Sequence, residues 1–255
     1  MPGNALRHGR MTVPVDRLTL ISGWGAPVDM IRPLVDGLAS EVTALSLDDS
    51  LLAGVPSFDA AADALLDRIG DRTWLVGWSL GGLLAMAVAH RAPERVAGVI
   101  TLCTHPCFVA REAGDTGMAP DTFAGFRQGL ERQAARQWQR FMLLQVHGVP
   151  AGRQALDPWL ASGPPASNAV LTHSLAWLAE VDQRQEWAEV AAPTVHLFGR
   201  RDPLVDPACA ALLQSQGRPV RLLEHLFHWP FGDAATQVRR AIEDCLNEYR
   251  AGQAA

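Results

Sequence analysis

The chain has 255 residues, 48% of them hydrophobic, with a net charge of −5. That is ample apolar material for one large core, and the acidic balance excludes a nucleic-acid binder working through a basic surface. All 22 basic residues are arginine, so P-loop lysines and Schiff-base chemistry are absent, which excludes Walker-type ATPases and pyridoxal enzymes.

Residues 1–16 read as a disordered leader. They lack the apolar stretch and cleavage site of a signal peptide, and Met11 is an alternative start. No apolar run is long enough to span a bilayer, so a cytoplasmic protein without a membrane partner is expected. The four cysteines, Cys103, Cys107, Cys209 and Cys245, show no zinc-ligand spacing and read as buried small residues.

In chain order, residues 17–21 form a strand, followed at once by Ser22-Gly23-Trp24-Gly25. Residues 29–38 have helical periodicity, 42–47 form a second strand, 48–50 open a loop, and 58–69 form a helix. A short apolar run, 74–76, then enters Gly77-Trp78-Ser79-Leu80-Gly81, and alanines and leucines recur at helical spacing beyond it. This is a G-x-S-x-G sequence between a strand and a helix, the context in which the pattern holds a serine hydroxyl out at the top of a sheet. The competing reading is a glycine-rich turn with a capping serine.

Residues 96–102 give another strand. From 104 to 191 the sequence is helical and strandless, carries Trp138, Trp159, Trp177 and Trp187, and is punctuated by Pro158, Pro164 and Pro165. That is too long for a plain connection, so 104–191 is expected to be a helical cap (lid) inserted into an α/β core of residues 17–103 and 192–250. Strands resume at 193–198 and 220–223, and an amphipathic helix over 234–249 closes the chain. Alternating strands and helices imply a mostly parallel sheet with helices on both faces and a site at the carboxyl ends of the strands.

A serine hydroxyl needs a base, and the base needs a third group to hold its tautomer. Downstream of Ser79, Asp202 follows a strand in Gly199-Arg200-Arg201-Asp202, and His228 follows the last strand. Asp206 and Asp182 compete for the acid and His225 for the base. Asp206 reads better as a helix cap, and His225 sits inside or at the end of the strand. His105, His147, His173 and His196 lack partners at metal spacing, so no metal is expected. Oxyanion donors would be the backbone N–H groups of Leu80 and Trp24, with the Trp24 indole lining the pocket.

With these residues in place, the chain resembles the α/β-hydrolases. More narrowly, it is similar to the carboxylesterases of biotin synthesis that demethylate pimeloyl methyl ester carried on acyl carrier protein. The segments that narrow the match are Trp78-Ser79-Leu80-Gly81-Gly82, Pro106-Cys107-Phe108, and Arg140 through Gln145 with Gly148. The resemblance implies a Ser79, Asp202, His228 triad and substrate contacts at Trp24, Leu80, Phe141, Met142, Leu143, Leu144 and Gln145. Arg132, Arg136 and Arg140 recur every four residues, one basic stripe on a helix, which Arg153 extends and which competes with a plain solvated face. The resemblance implies a carrier-protein contact at Arg136, Arg140 and Arg153, although a further basic position is Asp157 here. The chain departs from the family at Ser22-Gly23, where histidine-glycine is usual, and in the loop after the second strand. Its sheet also begins late, as if leading strands were missing. The expected protein is a monomeric serine esterase without cofactor. A general short-chain esterase or lactonase, and a hydrolase-fold ligand receptor, are the alternatives.

Overall fold

The computed structural model describes residues 15–149 and 151–253. Six strands form one parallel sheet: β1 (Val15–Ile21), β2 (Ala39–Leu45), β3 (Thr73–Trp78), β4 (Val96–Leu102), β5 (Thr194–Gly199) and β6 (Val220–Leu223). Their order is β2-β1-β3-β4-β5-β6. Every residue of β3 is buried, as a strand covered on both faces requires, whereas the edge strands β2 and β6 are only half-buried along most of their length.

The helices are α1 (Asp49–Leu52), α2 (Phe58–Leu66), α3 (Leu80–Arg91), α4 (Pro120–Arg132), α5 (Ala134–Leu144), α6 (Gly152–Ser162), α7 (Asn168–Glu180), α8 (Arg184–Glu189), α9 (Ala208–Ser215) and α10 (Gly232–Gln253). Helices α4 to α8 lie between β4 and β5. Their Phe123, Trp138, Trp177 and Trp187 join the same continuous buried cluster as the sheet.

The strand order decides where a site can form. From β1 the chain moves outward to β2, then returns to place β3 on the other side of β1. The carboxyl ends of β1 and β3 therefore flank a crevice where the topology switches direction. In register, Ile21 pairs with Gly77, Trp78 with Leu102, and Leu102 with Leu197, so these strand ends are level.

Several expectations need correction. Val15 and Asp16 open β1 rather than ending a leader; the rest of that expectation lies outside the described residues. Residues 29–38 are not one α-helix but two single 3-10 turns, Val28–Met30 and Arg32–Leu34. Ile31 between them is non-helical (φ −120°, ψ −4°), and Pro33 has no N–H to donate to a continuous helix. Residues 48–50 are not a plain loop, because the Asp48 carboxylate caps α1 by accepting from Ser50 N–H at 2.9 Å. Pro158 lies inside α6 rather than ending a helix. The arginine stripe is broken: α4 stops at Arg132, Gln133 is non-helical (φ −148°, ψ 72°), and only Arg136 and Arg140 share α5.

Candidate active site

Ser79 joins β3 to α3 with φ 54° and ψ −120°, a conformation that L-residues rarely adopt and that costs about 1–3 kcal/mol. The turn is feasible because its flanking glycines carry no Cβ. One on Gly77 would stand 2.4 Å from the Gly81 carbonyl oxygen, and one on Gly81 would stand 2.4 Å from that of Ser22. Leu80 is the first residue of α3, where a helix leaves its N–H groups without intrahelical acceptors and favours negative charge. The loop after β1 closes against this turn: a Cβ on Gly23 would meet Ser79 Cβ at 3.3 Å. Trp24 N–H and Leu80 N–H thus belong to segments that meet at Ser79.

Asp202 follows β5, and its Oδ1 accepts from Leu204 N–H at 2.8 Å and Val205 N–H at 3.0 Å. Its Oδ2 faces His228 Nδ1 at 2.9 Å. A carboxylate only accepts, so in this contact the donor is Nδ1–H and Nε2 is the ring nitrogen turned away from Asp202. His228 Nε2 is buried and has no hydrogen-bond partner among the described residues; it is not bonded to Ser79 in this structure. Such bonds are often long before substrate arrives. The His228 loop is held from two sides, by Trp78 Nε1–H donating to the His228 carbonyl at 2.8 Å and Trp229 Nε1–H donating to Met30 O at 3.0 Å.

The competitors lie elsewhere. Asp206 accepts from Ala208 N–H at 2.8 Å at the start of α9, as a cap does. Asp182 is paired with Arg184. His225 is not in a strand but is exposed in the turn after β6. His196 is buried within β5, stacked on Trp187 with ring centroids 4.3 Å apart. Its Nδ1 meets Thr101 Oγ1 at 2.9 Å. His105 is also buried, accepting from Cys107 N–H and bonding Thr116, while His147 and His173 are exposed.

Above Ser79 lies a narrow cavity of about 80 Å³. Its walls are Phe108, Phe123, Phe126, Phe141, Leu175 and Leu204, joined by other uncharged side chains, and no charged residue lines it among the described residues. Of the predicted 141–145 run, Phe141 and Leu144 line the cavity. Met142 and Gln145 turn inward and bond each other, Gln145 Nε2–H to Met142 Sδ at 3.3 Å, and Leu143 is half-buried. Helical geometry puts only residues three or four apart on one face, so a run of five could not all reach the cavity. The Trp24 indole does not line it either; it packs behind, edge-on to Phe141 at 4.9 Å and to Phe126 at 5.8 Å. Arg136, Arg140 and Arg153 are exposed on α5 and α6.

Sequence reasoning missed the α4 and α7 walls and Cys103. The Cys103 thiol, the Asp202 carboxylate and the His228 ring lie with their donor atoms all within 4.8 Å of one another. These are chemically competent metal ligands, but the carboxylate is already engaged by two amides and His228. Burial, followed by the charge of Asp202, pushes the thiol well above its ordinary value, so it stays protonated. Its position at the carboxyl end of β4 was the only available signal.

Residues 53–235 match the family model of the alpha/beta hydrolase fold. A curated relative from Aeromonas hydrophila, named pimeloyl-[acyl-carrier protein] methyl ester esterase, is 34% identical over 251 residues, covering 91% of this chain and 98% of its own. One of the same name from Pectobacterium carotovorum is 35% identical over 207 residues, 78% of this chain and 81% of its own. An esterase structure from Exiguobacterium antarcticum superposes with a TM-score of 0.74 at 16% identity, over 91% of this chain and 93% of that one, which speaks for the fold alone. The chain belongs to the α/β-hydrolase family, among its carboxylic ester hydrolases.

Proposed function

We propose that the protein is a serine carboxylesterase that hydrolyses the methyl ester of a pimeloyl chain carried on acyl carrier protein, a step of biotin synthesis in the cytoplasm. The observation that carries the ester-hydrolase part is the strained Ser79 on the wall of an uncharged cavity, with a His228–Asp202 pair whose free nitrogen is buried and unpartnered. The substrate itself is supported by the names and coverage of the relatives.

In this reading His228 Nε2 takes the Ser79 hydroxyl proton as Oγ bonds to the ester carbonyl carbon. The oxyanion is held by the N–H groups of Trp24 and Leu80, reinforced by the α3 N-terminus. The intermediate collapses, Nε2–H protonates the departing methoxide, and methanol leaves. Water then gives a proton to Nε2 and attacks the acyl carbon. The second intermediate collapses, Nε2–H returns that proton to Ser79 Oγ as the C–Oγ bond breaks, and the acid leaves and ionises to the carboxylate. Residues 104–191 act as a cap whose helices α4, α5 and α7 supply most of the acyl-chain wall. Arg136, Arg140 and Arg153 form an exposed basic rim toward an acidic carrier.

The test is incubation of the purified protein with pimeloyl-carrier methyl ester, with loss of the methyl group followed by mass spectrometry, alongside complementation of a biotin-requiring strain lacking this esterase. Hydrolysis of short free esters with no action on the carrier-bound ester would favour the general esterase instead. No turnover of either would favour a ligand receptor.

A further inference from the structure

We infer that Trp138 is a positioning residue for the oxyanion loop, so that the helical insertion and the site beneath it act as one unit. This rests on the proposed ester-hydrolase reading, in which Trp24 N–H is an oxyanion donor. Trp138 lies on α5, outside the α/β core, and is 1% exposed. Its indole Nε1–H donates to the carbonyl of Gly25 at 2.6 Å, across 113 residues of sequence. Gly25 has φ +64°, and a Cβ there would stand 3.0 Å from Trp138 Cδ1 and 3.1 Å from Nε1. The loop is therefore shaped around this ring.

A second bond runs the other way. Trp24 Nε1–H donates to the carbonyl of Leu171 on α7 at 2.9 Å. The residue that supplies the oxyanion N–H is thus gripped on its own side chain by α7 and on its next neighbour's carbonyl by α5. On its other flank the same loop touches Ser79, through the close approach of Gly23. Residues 22–25 carry no regular secondary structure that would fix their peptide planes. An oxyanion donor works by being aimed before the charge develops, and these two indole bonds set the aim. Helix α5 also carries Phe141 of the cavity wall and the exposed Arg136 and Arg140, so a displacement of this helix reaches the donor directly.

The test compares Trp138→Phe, which keeps a ring and removes the N–H, with His173→Ala. The latter removes another bond from α7 to the core, His173 Nε2–H to Pro56 O at 3.0 Å, whose acceptor lies outside residues 22–25. The readouts are kcat and KM on p-nitrophenyl butyrate and the inhibition constant of butylboronic acid, whose tetrahedral serine adduct places an oxygen in the oxyanion hole. Trp138→Phe is expected to lower kcat and weaken boronate binding by the same factor, about tenfold, with KM within about twofold. His173→Ala is expected to leave all three within about twofold. Unchanged kcat in Trp138→Phe, a loss lying in KM alone, or an equal kcat loss in His173→Ala would each overturn the inference. Should Trp138→Phe not fold, Gly25→Ala, whose methyl displaces the indole, must show the same joint loss, and wild-type values there would overturn it. Ser79→Ala in the same assay reports separately on the esterase reading, since residual turnover there removes the nucleophile whatever Trp138 does.

Discussion

His228 Nδ1 stands 2.9 Å from Asp202 Oδ2, and both side chains are sealed from solvent. The other carboxylate oxygen accepts from two backbone amides and also stands 3.1 Å from Nδ1, so the carboxylate is held in one orientation. In Asp202→Asn, the oxygen would keep the amides and the NH₂ group would face Nδ1. The amide N–H would then compete with the retained oxygen for Nδ1, which favours the tautomer with the proton on Nε2, and in that tautomer the base is lost. In a serine protease the same exchange costs about 10⁴ in turnover. We expect a loss of that order here, with Asp206→Asn within about twofold of wild type, because asparagine also caps helices. Steady-state kinetics on a chromogenic ester decides it, and equal losses would reopen the choice of acid.

Ser79 is strained and half-buried at the cavity wall, and its backbone carbonyl accepts from Gly82 N–H at 2.9 Å and Thr104 Oγ1–H at 3.1 Å. The turn is thus held by its backbone, not by the hydroxyl. Ser79→Ala should abolish turnover with Tm close to wild type. In the wild-type protein a fluorophosphonate should label Ser79 alone, read by peptide mass spectrometry. Labelling elsewhere with loss of activity would move the nucleophile.

The elbow was legible because two glycines and a serine at fixed spacing leave few backbone solutions between a strand and a helix. The meeting of Asp202 with His228 was legible from chain order, since each follows a strand and the parallel sheet aligns strand ends. Strands β4 and β6 were read to the residue, being predominantly apolar runs bounded by turns. The end of α4 at Arg132 was not legible, because no glycine or proline marks it. Each helix instead buries its own side chain there, Leu130 from α4 and Trp138 from α5, both 1% exposed. The role of Trp138 was hidden for the same reason: its partner is a backbone carbonyl 113 residues away. A tryptophan among four in a helical segment reads as packing until the chain is folded.

Two buried histidines set a pH dependence of stability. Burial, reinforced by Arg218, holds His196 down to about 3. Burial outweighs the pull of Asp115 at His105 and holds it down to about 4. The ordinary value is 6.5, so between these limits the unfolded chain binds more protons than the folded one. Stability therefore falls as the pH drops below about 6.5, by up to about 1.4 kcal/mol per pH unit for each group until its folded value is reached. Thermal melts from pH 8 to pH 4 should show this decline. In His105→Asn, whose side-chain oxygen can still accept from Cys107 N–H, the slope should be shallower even if Tm at pH 8 is lower. An unchanged slope would assign the acid sensitivity to other groups.

The rim of α5 offers a test of the carrier-bound substrate. Arg136 and Arg140 are exposed, one turn apart, on the helix whose Phe141 and Leu144 wall the cavity, and Arg153 is exposed on α6. The ordinary reading of such arginines is a solvated face. Their position on the helix that borders the cavity favours steering of an acidic carrier, an effect felt mainly in association rate and weakened by salt. Arg136→Glu with Arg140→Glu should lower kcat/KM for a carrier-bound methyl ester by about tenfold at low salt, and by less at high salt. A small free ester needs no docking and should be turned over within about twofold of wild type. Parallel losses on both substrates would indicate that α5 has shifted and carried the Trp138 contact with it. Loss on neither would return the arginines to ordinary surface.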